Sequence, residues 1–288
     1  MATAAAVRPE TNRSNALLRG HSIEITAKDG QRIARLAGRI PPGTPVAVTF
    51  LPGEDAAART LAARRLREAG FIPVPHLAAR RLRSPAELDD FLAALTGEAA
   101  VDRVFVVAGD LAAAAGPYDD ALAIIRSGLL ARHGIAHVGI AGYPEGHPDI
   151  GRDALDRALR DKLRELRDAG HTAWIVTQFG FDADPVLAWL EALHSNGIDI
   201  PVRVGVAGPA SAKSLLRFAA RCGVGVSAKV LAKYGLSLTQ LIGNAGPGPL
   251  VSELAGRLDP ARHGEVGLHF YPFGGLEKTA DWIEAHSG

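Results

Sequence analysis

Residues 135–179 read IAHVGIAGYPEGHPDIGRDALDRALRDKLRELRDAGHTAWIVTQF. The opening IAHVGIAG (135–142) is a buried-looking run of strand length. A long helix is predicted from about 150 to 169, closed by Ala169 and Gly170. AWIVTQF (173–179) is a second strand. Strand, helix and strand in one stretch make a unit whose strands lie parallel, with the helix outside the sheet.

The same rhythm extends in both directions. Before it come SIEITA (22–27), PVAVTF (45–50), IPVPHL (72–77) and VDRVFVVAGD (101–110), all read as strands. Helices are predicted over EDAAARTLAARRLREAG, over SPAELDDFLAALTG and over roughly 118–132. The second of these starts with a Ser N-cap and a Pro at the first helical position. After it come a helix at about 184–196, the strand PVRVGVAG (201–208), the helix ASAKSLLRFAARCG, further helices over 227–260, the strand EVGLHFYPF (265–273) and a closing helix, GLEKTADWIEAH. Eight strands alternating with helices predict a single-domain (β/α)₈ TIM barrel over 21–288, behind a mobile tail at 1–20. An open doubly wound sheet would call for G-x-G-x-x-G after an early strand. GNAGPG (243–248) holds Pro247 and follows no strand, so it reads as a turn.

Composition narrows the function classes. With 47% hydrophobic and 22% charged residues, the 288-residue chain can bury a sizeable core. A net charge of +1, spread along the chain, gives no reason to expect a nucleic-acid groove or a membrane surface. The N-terminal MATAAAVRPETNRSNALLRG lacks a signal-peptide core, so the cytoplasm is the default location. Cys222 is the one cysteine; it excludes an intrachain disulfide and reads as a small core residue.

Barrel enzymes act at the C-terminal ends of their strands. Here those ends supply Glu24, Thr49, His76, Asp110, then Tyr143, Glu145 and His147, then Thr177 and Gln178, and finally His269 and Tyr271. No comparable polar series is expected at the N-terminal ends. Each residue also has a plainer reading. Glu24 could face solvent, although Ile23 and Ile25 on either side favour an inward carboxylate. Asp110 could cap a turn, His76 could be a core or loop histidine, and Gln178 and His147 could brace loops. The absence of H-x-x-H and H-E-x-x-H spacing leaves a metal site with little support, and no G-x-S-x-G elbow marks a serine hydrolase.

Several strings occur together and in order: an acid inside the first strand, PHL (75–77), AGD (108–110), AGYPEGHPDI (141–150), TQFGFD (177–182) and LHFYPF (268–273). In these the chain, over roughly 20–286, resembles the methylenetetrahydrofolate reductases, in their short bacterial form without a regulatory domain. The resemblance implies the barrel fold and an oxidoreductase that interconverts 5,10-methylenetetrahydrofolate and 5-methyltetrahydrofolate with NADH or NADPH, typically through FAD. It implies that Glu24 is the general acid that opens the methylene bridge, and that Asp110 lies between flavin and pterin. Gln178, Phe218 and Tyr271 match substrate contacts. Thr49, His76, Tyr143 and His147 match positions around the flavin, as do Ala108 and Gly109 beside Asp110.

Departures from the family pattern fall on the flavin side. EITAKD stands where Glu-Phe-Phe-Pro-Pro is usual, Ala108 where an arginine is usual, and Gly274 and Gly275 where asparagine and arginine are usual. Leu166 occupies the expected lysine position, which leaves nearby Arg167 as the flavin-side cation. Lost basic groups matter for phosphate binding. Two cofactor expectations therefore stand: FAD held by other residues, or direct hydride transfer from NAD(P)H to the folate iminium. A non-catalytic folate-binding barrel in one-carbon carriage is the alternative from another class. Reaction direction and nucleotide preference stay open, and homo-oligomers are compatible with the apolar helix faces.

Overall fold

The computed structural model describes residues 15–222, 224 and 244–287. Eight parallel strands close into a barrel: β1 Ser22–Ile25, β2 Pro45–Val48, β3 Ile72–Ala78, β4 Arg103–Val107, β5 His137–Gly142, β6 Thr172–Gly180, β7 Val202–Ala207 and β8 Val266–Tyr271. They pair in chain order, and β8 returns to β1 through Ser22 with His269 and Ile23 with Phe270. The predicted TIM barrel is therefore the observed fold. The helices are α1 Ala56–Glu68, α2 Pro85–Ala99, α3 Ala121–Arg126, α4 Arg152–Asp168, α5 Ala183–Ser195, α6 Ala212–Cys222, α7 Gly248–Arg257 and α8 Leu276–His286. None of them is long and apolar enough to cross a membrane.

Local chemistry starts these helices where the strands end. Asp55 accepts from the Ala58 amide, Ser84 from Glu87, Asp120 from Ala123 and Asp182 from Asp184. Each side chain satisfies one orphan donor of a first turn. The helix expected over 118–132 is instead two short ones, Ala121–Arg126 and Leu129–Arg132, interrupted at Ser127 and Gly128. Residues 244 and 245, expected in a turn, pair antiparallel with Ala210 and Ser211. The packed chain also begins earlier than expected, because Leu17 and Leu18 are already buried in the core. Residues 1–14 of the anticipated tail, the first part of the 227–260 helical stretch and the Cys222 side chain lie outside the described residues.

Strand alternation sorts the side chains into two environments. Ile23, Ile25, Val46, Val48, Val104, Val106, Val138, Ile140, Val204, Val206, Leu268 and Phe270 join the large core beneath the helices. The intervening positions point into the barrel. There Ala47, Val74, Phe105 and Val176 form a small separate cluster, with Trp174 packed against it. A barrel interior is usually filled by layers of bulky branched side chains. This one is thinly filled, and glycine makes room for its largest member. A Cβ on Gly139 would meet the Trp174 ring at 2.5 Å and Phe105 at 2.6 Å.

Gly139→Ala should therefore destabilise the fold by about 1–3 kcal/mol, the usual range for overpacking. Trp174→Leu in the same chain should recover much of that loss. Urea midpoints of the single and double variants check this. Simple additivity would show that Gly139 does not act by housing Trp174.

Candidate active site

Glu24, the third residue of β1, faces the barrel interior between outward-facing Ile23 and Ile25. The inward reading of this carboxylate is the observed one. Its Oε2 lies 3.6 Å from Nε2 of His76, which points inward from β3. Burial lifts the Glu24 carboxyl from 4.5 to about 8. Burial, aided by the Arg59 charge, holds His76 down at about 3. The close approach is thus between a carboxylic acid and a neutral imidazole, and it is not an ion pair. His76 also leans on Phe105, with ring centroids 4.8 Å apart.

A second inward histidine completes the group. His269 on β8 bonds through Nδ1 to the Ser22 hydroxyl at 2.8 Å. Burial is the main reason it too is held near 3, with smaller contributions from His76, Arg203 and His21. Arg59 on α1 braces the arrangement from outside the barrel. Its guanidinium donates to the His76 carbonyl at 3.2 Å and lies between Phe50 and Phe91, 4.8 and 4.3 Å from their ring centres.

Glu24, His76 and His269 share a cavity of about 290 Å³ with Tyr271. A dry void of that size would cost roughly 7 kcal/mol at about 24 cal/mol per Å³, comparable with the stability of a whole domain. The polar groups at its two ends, Glu24, His76 and His269 above and Arg103, Arg203 and Glu265 below, make it a site for water instead. The cavity runs down to Arg103, His137, Thr172, Arg203 and Glu265, at or just before the starts of β4 to β8. The N-terminal ends therefore do carry a polar series, contrary to expectation. Each of its members follows or precedes apolar residues of the outer face, which hide it in a linear reading.

Aromatic side chains gather where β6 to β8 end. A bulge between Val176 and Phe179 shifts the β6 register and projects the Thr177 carbonyl. The Tyr271 hydroxyl donates to that carbonyl at 3.0 Å, and the Thr177 hydroxyl accepts from the Gly205 amide at 2.8 Å. Gly205 permits this crossing, because a Cβ there would meet the Thr177 carbonyl at 2.5 Å and the Tyr271 ring at 2.7 Å. Tyr271 lies nearly parallel to Phe273, at 12°, and Phe273 stacks on Phe218 at 4.1 Å and 15°. Phe179 meets both Tyr271 and Phe273 edge-on. Of the predicted substrate contacts, Tyr271 and Phe218 sit in this shelf and Gln178 sits in the adjoining bulge. Phe179 and Phe273 were not singled out; only their placement beside the bulge makes them part of it.

The residues expected around a flavin are more dispersed. The Thr49 amide bonds the Ile25 carbonyl at 2.9 Å, beyond the end of β2. Ala108 and Gly109 follow β4, and the Ala108 carbonyl accepts from Arg80 at 2.8 Å. Asp110 is half exposed and pairs with Arg81 at 2.7 Å; it does not line the Glu24 cavity and does not cap a helix. Tyr143 and His147 pack on each other edge to face at 5.4 Å. Arg167 is misplaced by the sequence reading. It lies fifteen residues into α4, about 22 Å along a helix that runs from the C-terminal rim back to the other end of the barrel. There it is exposed and pairs with Asp168. Arg152 and Lys162 line with Tyr143 a cavity of only about 40 Å³, and burial lowers the pKa of the Lys162 ammonium. Ligand pockets for such ring systems run from about 300 Å³ upward. The pocket at Tyr143 alone is too small for a flavin ring system.

Asp182, Asp184 and Glu253 are the described carboxylates that come together in a group with metal-ligand spacing. Arg257 occupies them, bonding Asp184 at 2.7 Å and Glu253 at 2.9 Å.

The interior groups set a pH profile for stability. Between 4.5 and about 8 the folded chain keeps a Glu24 proton that the unfolded chain has released, so stability falls as pH rises through that window. His76 and His269 stay neutral when folded but gain protons when unfolded, so stability falls as pH drops from 6.5 toward 3. These three groups place the maximum near pH 6.5. Glu24→Gln should flatten the alkaline side and steepen the acid side between 4.5 and 6.5, where Glu24 opposes the histidines, read from urea midpoints across pH. An alkaline decline unchanged in that variant would rule Glu24 out as its source.

Comparison with known proteins agrees with this architecture. A solved structure, an uncharacterized protein from Clostridium thermocellum that binds two copies of 5-methyl-5,6,7,8-tetrahydrofolic acid, superposes with a TM-score of 0.63. That match covers 93% of this chain and 92% of the other at 12% identity, and so shows the shared fold. Methylenetetrahydrofolate reductase 1 of Schizosaccharomyces pombe is 39% identical over 70 residues. Methylenetetrahydrofolate reductase 2 of Saccharomyces cerevisiae is 33% identical over 69. These stretches are 24% of this chain and 11% of each yeast protein. The sequence profile of the methylenetetrahydrofolate reductase family matches residues 30–239, well over half of the chain, and the protein belongs to that family.

Proposed function

We propose that this chain interconverts 5,10-methylenetetrahydrofolate and 5-methyltetrahydrofolate with a nicotinamide nucleotide, by hydride transfer directly between the two. The observation that carries the reading is Glu24: a carboxyl held protonated up to about 8, inside the barrel, 3.6 Å from the neutral imidazole of His76 and in one cavity with His269. A folate-binding barrel without chemistry has no use for such a group, and burying it is costly.

The chemistry follows from the groups present. The substrate carbon bridges two nitrogens. Glu24 donates its proton to the leaving nitrogen, the bridge opens, and the other nitrogen forms an iminium with the carbon. Hydride from the nicotinamide adds to that carbon and leaves an N-methyl group, while the nucleotide is oxidised. Neutral His76 and His269 matter because a cation beside Glu24 would favour its carboxylate and weaken it as an acid. The shelf of Phe218, Tyr271 and Phe273 offers flat faces against which pterin and nicotinamide rings stack, with Gln178 beside it for a polar edge. Holding the two rings together supplies the proximity that hydride transfer needs. What favours the direct route over FAD is the dispersal of the flavin-side residues and the pairing of Asp110 with Arg81.

Glu24→Gln should lower turnover by about 10²–10⁴-fold while folate still binds. Wild-type turnover in the reductive direction should fall about tenfold per pH unit above about 8, as Glu24 loses its proton. Full activity in the Gln variant would remove the assignment. The absorbance spectrum decides the hydride route. A colourless protein that oxidises NADH or NADPH in a folate-dependent way supports direct transfer. Stoichiometric flavin bands would replace it with the FAD route, and a colourless, folate-binding, inactive protein would leave the carrier reading.

A further inference from the structure

The cavity beneath Glu24 opens on the face of the barrel opposite the catalytic rim. Its wall is made of strand residues and of Pro201 and Glu265, which immediately precede β7 and β8; no loop that follows a strand contributes. Its lower end is formed by polar groups with access to solvent, including exposed Thr172 and Glu265 and the part-exposed His137 and Arg103. Its upper end is Glu24, which keeps 18% of its side-chain surface, with His76, His269 and Tyr271 around it. Between the ends Val74, Phe105, Trp174 and Val176 share the lining with two small positions. Ala47 faces the lumen, and on β8 Gly267 stands between Glu265 and His269 in the inward-facing series.

We propose that the barrel lumen is a water-filled passage from the N-terminal face to Glu24, and that it restores the proton that Glu24 gives to the folate in each turnover. The inference rests on Glu24 being the acid. After donation Glu24 is a carboxylate beneath two stacked rings, which cover it from the rim. A lumen water donates a proton to it, each neighbouring water replaces the one above, and the last deficit is met by bulk solvent at the lower mouth. Nothing is oxidised or reduced in this step. Ser22, His76 and His269 near the top and Arg103, His137 and Arg203 lower down supply hydrogen-bond partners for such a file of waters, between apolar stretches of wall.

Gly267 provides the plug. A Cβ there would have Arg203 Nη1 as its nearest neighbour, at 3.7 Å, so a larger side chain can grow into the lumen below His269. Gly267→Phe should cut turnover at least tenfold and raise the solvent deuterium isotope effect on kcat, with KM for folate unchanged. Gly267→Ala, which leaves the passage open, should behave as wild type. A folded Gly267→Phe protein with normal turnover and isotope effect overturns the proposal.

A second measurement does not depend on catalysis. Ala47→Cys, in a Cys222→Ser background, should react with a small methanethiosulfonate reagent equally well with and without saturating 5-methyltetrahydrofolate, and should be protected by Gly267→Phe. Protection by the folate alone would show that access is from the rim, and the passage would be refuted even if the Phe variant failed to fold. Should Glu24→Gln remain active, the acid assignment falls, while the labelling still reports whether the passage exists.

Discussion

The removal of the Glu24 carboxyl from bulk water is the constraint on which the site depends. Only in the barrel interior does a carboxylic acid keep its proton near neutral pH without help from a second carboxylate. Burial alone accounts for the rise to about 8. The surroundings must then avoid undoing it. Any cation in contact would stabilise the carboxylate, so the two nearest bases are buried deeply enough to stay neutral. Arg59 is turned to the His76 backbone and held against Phe50 and Phe91, outside the barrel wall. From there its charge acts on His76 and reinforces neutrality.

Strand alternation is what makes this environment affordable to the fold. The outward faces of β1, β4, β5, β7 and β8 are almost wholly Ile, Val, Leu and Phe, and they build the main core against the helices. The interior is thus released from its usual task of supplying hydrophobic stabilisation. It can hold an acid, two histidines, a serine and a water-sized passage, because the stability comes from the other side of the same strands.

Much of this was legible in a linear reading. Apolar runs at regular spacing gave eight strands within a few residues of their observed ends, since burial beneath helices leaves a strong local signal. Glu24 was legible for the same reason, as a lone acid between Ile23 and Ile25. What escaped was non-local. Asp110 meets Arg81 across 29 residues of chain, and Lys162, one turn before Leu166, lines the same small pocket as Tyr143. Arg167 was chosen as the basic neighbour of Leu166, and neighbourhood along a helix does not say which end of the barrel a residue occupies. The aromatic shelf depends on a β-bulge, whose extra residue changes which side chains share a face.

The distribution of small residues in the interior separates two demands. Gly139 and Gly205 are small because something else occupies their space: the Trp174 ring in one case, the Thr177 carbonyl and Tyr271 in the other. Gly267 is different, since its missing side chain would meet nothing closer than the Arg203 guanidinium at 3.7 Å. A Cβ there would make only ordinary van der Waals contact. Packing therefore explains two of the three glycines. The third stands between Glu265 and His269 in the inward-facing series of β8, and an open lumen explains it where close packing does not.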